Sequence, residues 1–262
     1  MFETNATIIV NADDWGRDIH TTNCIKDCAF RETVSSVSAM TFMEDSERAA
    51  DLALEHGVDA GLHLNLTSIF SARQCPLQLI EHQQKISRFL RSHRLAPVVY
   101  HPGLACSFEY VAKAQLEEFE RLYRAPAKRV DGHHHMHLCA NVFFQRLLPA
   151  GTIVRRNVSF GPQEKSRANR FYRSWQDRGL ARRHRLTDYF FALPPIDSPS
   201  HIEKIFDLAT RFNVEVETHP ANRAEYEFLV DGEIMNRAHN VTIARSYLLR
   251  SDDRFPNKGN VS

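Results

Sequence analysis

Ile8-Ile9-Val10-Asn11-Ala12-Asp13-Asp14-Trp15-Gly16 is the stretch from which the rest of the chain is read. An apolar run suited to a buried strand ends here on two adjacent carboxylates. Charge at the end of a buried strand is costly unless it is paired or bound to a cation. A metal site satisfies that demand, with one aspartate as ligand and the other free to move protons. A capped turn satisfies it too, because Asp and Asn commonly stop strands and start helices. Strict strand alternation sends Asp13 and Asp14 to opposite faces. Both enter one pocket only if the chain has already turned, and Trp15-Gly16 supplies a place to turn.

Further strand-like runs follow at 34–40, 59–66, 128–135, 152–156, 188–193, 213–219 and 240–244, the first being 6–12. Helix signals lie between them. Residues 18–31 open at Asp18, residues 45–56 stop at Gly57, residues 107–124 end before Pro126, and 199–212 open with Ser198-Pro199. Alternating β and α units imply a parallel sheet covered by helices. Seven or eight strands in 262 residues predict a TIM-barrel-like (β/α) barrel, closed or incomplete and distorted, with its active site at the C-terminal strand ends. No Gly-rich phosphate loop follows the first strand, which counts against a nucleotide-binding sheet. No linker divides the chain, so residues 1–262 are expected to form one domain.

Composition narrows the class. The chain is 43% hydrophobic and 25% charged with a net charge of +1, which excludes a dedicated nucleic-acid binder at the level of the whole chain. No apolar run reaches the roughly 20 residues that span a bilayer. Met1–Asn5 does not begin a signal-peptide pattern. The cysteines at 24, 28, 75, 106 and 139 are odd in number and lack metal-finger spacing. Cys24 and Cys28 read as small buried hydrophobes, and a cytoplasmic location is the default expectation. The 14 histidines are the unusual count.

Residues 155–185 are strongly basic, from Arg155 and Arg156 to Arg185, against only Glu164 and Asp177. They define an expected basic insertion at about 156–187. Ala168, Phe171, Tyr172 and Trp175 fall at helical spacing. The pattern favours a solvated basic face whose aromatic stripe docks on the barrel. The competing reading is a basic helix that touches an anionic ligand, a partner or, through 166–180, a membrane surface.

Three more strand ends carry ionisable residues. In Ala60-Gly61-Leu62-His63-Leu64-Asn65-Leu66 the leucines share one face, and Gly61, His63 and Asn65 share the other. In Val130-Asp131-Gly132-His133-His134-His135-Met136-His137, alternation puts Asp131, His133, His135 and His137 on a single face, which is hard to satisfy without a metal or polar pocket. In Val214-Glu215-Val216-Glu217-Thr218-His219-Pro220, Glu215, Glu217 and His219 align; alone this would read as an exposed edge strand. Together, Asp13/Asp14, His63, His133 and His219 sit at the address where barrels build active sites. One carboxylate and two imidazoles suit a catalytic divalent metal with open positions.

At these positions the chain resembles the YdjC family of carbohydrate deacetylases, which includes chitooligosaccharide deacetylases and hopanoid-biosynthesis-associated deacetylases. NADDWG, GLHLNL, DGHHHMH and ETHP occur in that order between residues 8 and 220. The resemblance implies a TIM-barrel-like fold and a carbohydrate N-deacetylase, a hydrolase of linear amide C–N bonds that releases acetate from an oligosaccharide or glycolipid. It implies Asp14, His63 and His133 as ligands of one divalent ion, Mg2+ or Zn2+, with Asp13 as general base and His219 as general acid. Asp131, His135, Arg155 and Glu217 are candidates for substrate contact or for orienting the ligands. Two departures from the family pattern are Gly132, where Ser is usual, and Ala221, where Gly follows the His-Pro pair. The competing activities are a metal-dependent phosphoesterase, another amidohydrolase, or a metal-dependent sugar- or lipid-binding module without turnover. The expected partner is an N-acetylated sugar or glycolipid, not nucleic acid, and a homodimer is compatible with the sequence.

Overall fold

The computed structural model describes residues 6–160, 164–196, 198–232 and 241–247. Met1–Asn5 and residue 240, where expectations were placed above, lie outside them. Eight parallel strands alternate with helices: β1 (Ala6–Trp15), α1 (Ile19–Phe30), β2 (Ser36–Ala39), α2 (Ser46–His56), β3 (Ala60–Leu64), α3 (Leu77–Leu90), α4 (Ala105–Tyr123), β4 (Arg129–Gly132), α5 (Ala140–Gln145), β5 (Ile153–Val154), α6 (Arg167–Ala181), β6 (Tyr189–Ala192), α7 (Pro199–Ala209), β7 (Val214–Thr218), α8 (Arg223–Val230) and β8 (Val241–Ile243). The strand order is β5-β4-β3-β2-β1-β7-β6, with β8 pairing the start of β1. The sheet curls into a half-barrel, the incomplete form of the expected fold. β5 and β6 are its two edges. The chain leaving β5 crosses toward β6, where Ser159 N donates to Phe190 O at 2.8 Å.

Local chemistry explains the elements. Asp18 caps α1 by accepting from Thr21 N at 2.8 Å. Gly57 ends α2 at φ 67°, a left-handed cap that glycine adopts without penalty. Val10, Ala12, Leu62, Leu64, Val214 and Val216 are buried on the outer side of the sheet with the apolar faces of the helices. Their neighbours in sequence, among them Asn11, His63, Asp131, Glu215 and Glu217, are buried on the inner side although polar. A half-barrel lumen filled with charge needs internal partners, and register supplies them. His63 lies opposite Asp131 across β3–β4, and Asn11 lies opposite Glu217 across β1–β7.

β7 is internal, between β1 and β6, which removes the alternative of an exposed edge strand at ETHP. Three expectations change. β4 stops at Gly132; a tight 3-10 turn over His133–Leu138 follows, with His134 at φ 54° and His135 at φ 57°. The single-face alternation of Asp131, His133, His135 and His137 therefore fails beyond the strand. In α6 the buried side chains are Gln176, Asp177 and Leu180, while Phe171 and Trp175 are exposed, so the aromatic stripe does not dock as a whole. Cys28 is buried but Cys24 is only partly so, beside His20.

Candidate metal centre

Asp13 and Asp14 share one pocket because β1 is irregular at its end. Its register with β2 slips between Ala12 and Trp15, and Asp14 adopts φ 71°. Aspartate tolerates that left-handed conformation better than most residues. The turn thus falls one residue earlier than Trp15-Gly16. Trp15 then points into the core, its indole N–H bonded to Ala49 O at 3.1 Å.

Asp14 meets two imidazoles from neighbouring strands. His133 Nδ1 is 3.0 Å from Asp14 Oδ1, and His63 Nε2 is 3.4 Å from the same oxygen. The three ligand atoms lie within 4.8 Å of one another, and all three residues are buried. Although close, the imidazoles are not directed as hydrogen-bond donors to Asp14 Oδ1, which is a buried oxygen without a donor. Burial alone would raise the Asp14 pKa, but His133 and His63 hold it below the ordinary carboxylate value. An orphaned anionic oxygen facing two ring nitrogens fits a divalent cation with open positions. Asp14 Oδ2 accepts from Arg17 at 3.0 Å, which fixes the carboxylate.

The support for His63 is complete. Its Nδ1 is 2.7 Å from Asp131 Oδ1, leaving Nε2 to face Asp14. Asp131 Oδ2 accepts from Ser38 Oγ at 2.5 Å and contacts the Arg155 guanidinium at 2.9 Å. A carboxylate behind a ligating imidazole sets its tautomer and its ring orientation. Burial disfavours the His63 imidazolium, yet the charges of Asp13 and Asp131 raise its pKa well above the usual histidine value.

Arg155 organises the lumen beneath the cluster and is 1% exposed. Its fork holds Asp13 at 2.6 and 2.7 Å, its Nε donates to Glu215 Oε1 at 2.7 Å, and Glu217 Oε2 lies 3.5 Å away. The ring of Phe190 lies beneath the guanidinium, 5.0 Å from its carbon. It balances acidic neighbours that would otherwise be buried unpaired. Burial pushes Asp13 up, but Arg155 and then His63 bring its pKa below the ordinary value. Asn11 Nδ2 also donates to Asp13 Oδ1 at 2.8 Å. Glu217 goes the other way: burial, then the charge of Asp13, push it up to about 8.

The other histidines divide by environment. His219 stands at the half-exposed mouth, its Nε2 3.6 Å from Glu217 Oε1. Its backbone N–H donates to Glu225 Oε2 at 2.8 Å, which pins the loop start. His135 Nε2 is 3.6 Å from Glu217 Oε2, and burial with the nearby Arg155 charge lowers its pKa to about 3. His134 Nδ1 is 3.0 Å from Thr67 Oγ1, and His137 Nε2 donates to Arg155 O at 2.9 Å. A Cβ on Gly132 would lie 2.9 Å from His137 N, so the tight turn needs glycine there. Sequence reasoning did not assign Asn11, Ser38 or Tyr247 to the site; the Tyr247 hydroxyl donates to Glu215 Oε2 at 2.5 Å. The signal for the central place of Arg155 was available: a lumen lined with carboxylates requires a buried cation.

The parallel half-barrel thus carries an aspartate–histidine–histidine cradle, a candidate metal centre, at its C-terminal mouth. A family model, YdjC-like protein, matches residues 7–251, and the chain belongs to that family. It is 28% identical to a carbohydrate deacetylase of Mus musculus over 52% of this chain and 44% of the relative. It is likewise 28% identical to a chitooligosaccharide deacetylase of Proteus mirabilis over 52% of each. The chain thus spans about half the length of the curated relatives it matches. A crystal structure from Enterococcus faecalis V583, provisionally assigned to cellobiose-phosphate cleavage, superposes with a TM-score of 0.61 at 18% identity, covering 93% of this chain and 98% of that one. At that identity the likeness concerns the fold.

Proposed function

We propose that the protein is a metal-dependent carbohydrate deacetylase that hydrolyses the N-acetyl group of an amino-sugar-containing substrate. The observation that carries this reading is the donorless Asp14 Oδ1 facing His63 and His133 beside a second carboxylate, Asp13. The family membership and the deacetylase relatives support it. Asp14, His63 and His133 would hold a divalent cation, which when bound would supply a water of lowered pKa, from 15.7 toward about 7, and a Lewis acid for the amide carbonyl.

The residues of the chain do the rest. Asp13 accepts the proton that water loses on attacking the carbonyl carbon. Arg155 costs it basicity but fixes its position, and a placed general base is typically worth about 10²–10⁴-fold. His219 gives a proton to the sugar nitrogen as the C–N bond breaks, so amide and water become acetate and amine. Glu217 lies against His219 and His135, and Asp131 holds the His63 ring. The buried Arg155 is committed to carboxylates, and Arg17, the half-exposed arginine at the cluster, is paired with Asp14.

Acetate release from N-acetylated oligosaccharides and glycolipids, with metal-stripped and metal-restored protein, tests the proposal. Asp13→Asn is expected to retain metal and lose about 10²–10⁴-fold in kcat. Metal-independent turnover, or full activity of Asp13→Asn, would overturn it.

A further inference from the structure

We propose that the outer face of α6, together with α5 beside it, docks on an anionic lipid bilayer. This surface is separate from the metal centre, and its test does not depend on the chemistry proposed there. Arg167, Phe171, Trp175, Arg178 and Arg182 follow one another at spacings of four, four, three and four, which places them on one helical face. All five are exposed, while Gln176, Asp177 and Leu180 on the opposite face are buried. Phe171 is 69% and Trp175 42% exposed, large apolar surfaces to leave in water within a basic helix.

The patch continues beyond the helix. The Trp175 ring lies 5.4 Å from Phe143 and 6.2 Å from Phe144, which is 55% exposed. Tyr100 extends it, 6.3 Å from Phe144, and the preceding Val98 and Val99 are exposed as well. Between α5 and α6 lies a cavity of about 460 Å³ floored by these aromatics, with Arg146, Arg178, Arg182 and Arg183 among its lining residues. The one acid of α6, Asp177, is turned inward and holds Arg156 at 3.0 Å and Asn157 N at 3.0 Å. The outer charge is therefore unopposed by the helix itself.

Charge complementarity selects the occupant. Guanidinium groups take phosphate oxygens, and aromatic rings favour the boundary between headgroup and acyl chain. The exposed apolar side chains include the aliphatic Val98 and Val99 beside Tyr100, Phe144, Phe171 and Trp175, and aliphatic groups suit acyl chains and not base stacking, which favours a bilayer over a nucleic acid. Among the described residues no helix is long and apolar enough to cross a membrane, so contact through this helix would be peripheral.

Vesicles of phosphatidylcholine with and without phosphatidylglycerol provide the probe. The chain has two tryptophans, and Trp15 is fully buried, so a blue shift of emission on binding reports Trp175. The protein is expected to sediment with phosphatidylglycerol vesicles, to be released by high salt, and to show that shift. Arg178→Gln with Arg182→Gln should weaken partitioning about 30-fold, at roughly fivefold per arginine. Phe171→Ser should weaken it at every salt concentration, and thermal unfolding of these exposed-face variants should match wild type. Trp175→Phe should abolish the shift and leave salt-sensitive sedimentation. Absence of sedimentation, binding indifferent to these substitutions, self-association of the free protein through this face, or tighter retention by polynucleotide than by vesicles each overturns the proposal.

Discussion

β3 and β7 reach the mouth of the half-barrel as ordinary strands, whereas β1 and β4 reach it through residues in the left-handed region. The ordinary ends present alternate residues to the lumen: Gly61 and His63, then Glu215 and Glu217. The left-handed ends put consecutive or near-consecutive residues into one site: Asp13 with Asp14, and His133 with His135 close behind. Two of the three cradle residues come from irregular ends, and the third, His63, is positioned by Asp131 from within β4. Regular pairing gives rigidity through register. A left-handed residue costs about 1–2 kcal/mol for an ordinary side chain but delivers a density of donor atoms that alternation forbids.

The strongest way to separate backbone from charge is at Asp14. An asparagine there would keep a side chain that tolerates φ 71° and remove the anionic ligand. Asp14→Asn is therefore expected to fold, to lose metal binding by more than the 10–100-fold typical of a lost orienting partner, and to lose turnover with it. Asp14→Ala should show the same metal loss plus about 1 kcal/mol lower stability from the backbone alone. Calorimetric metal titration and denaturant unfolding of the metal-free proteins read the two effects apart. Tight metal binding by Asp14→Asn would remove the cradle assignment.

On the regular side, Asp131→Asn weakens the orientation of His63 and leaves Arg155 with one partner fewer. The expected cost is about 10–100-fold in metal affinity, measured by competition with a chelator. A smaller effect falls on the irregular side. Gly132→Ala brings a methyl against the backbone N of His137 at 2.9 Å, and the turn must shift. About 1–3 kcal/mol of stability should be lost, with His133 displaced from Asp14. Unchanged stability of Gly132→Ala would mean that the turn has room to relax.

The same contrast decides what was legible in the sequence. Alternation places His63, Glu215 and Glu217 on the inner face, and the caps at Asp18 and Gly57 bound α1 and α2 within a residue or two. Parallel pairing was implicit in the β/α rhythm. Where φ turns positive, periodicity carries no information: DGHHHMH reads as a strand through 135 but leaves the sheet at Gly132. The internal place of β7 was hidden because its polar face looks solvated until Arg155 is put opposite it. α3, α5 and α8 escaped notice although Asn222 caps α8 and α3 buries Leu79, Ile86 and Leu90 along one face. Arg155 was singled out as a site candidate, but its pairing with Asp13 and Glu215 was not legible, since those partners are 142 and 60 residues away in sequence.

Glu217 offers the finest test, because its regular position forces a carboxylate against Asp13 in a buried lumen. Burial and the Asp13 charge raise it to about 8, above an unfolded value near 4.5. A raised carboxylate binds its proton more tightly when folded, so its stabilising contribution is present at low pH and is lost as pH rises through the window from 4.5 to 8. The slope is at most about 1.4 kcal/mol per pH unit. Glu217→Gln cannot ionise and carries no such loss. In metal-free protein the stability difference between Glu217→Gln and wild type should therefore grow in favour of the glutamine variant as pH rises from about 5 to 9. Denaturant midpoints across that range measure it. A difference independent of pH would mean that Arg155, 3.5 Å from Glu217 Oε2, neutralises Glu217 after all, and that the guanidinium serves both strands β1 and β7 equally.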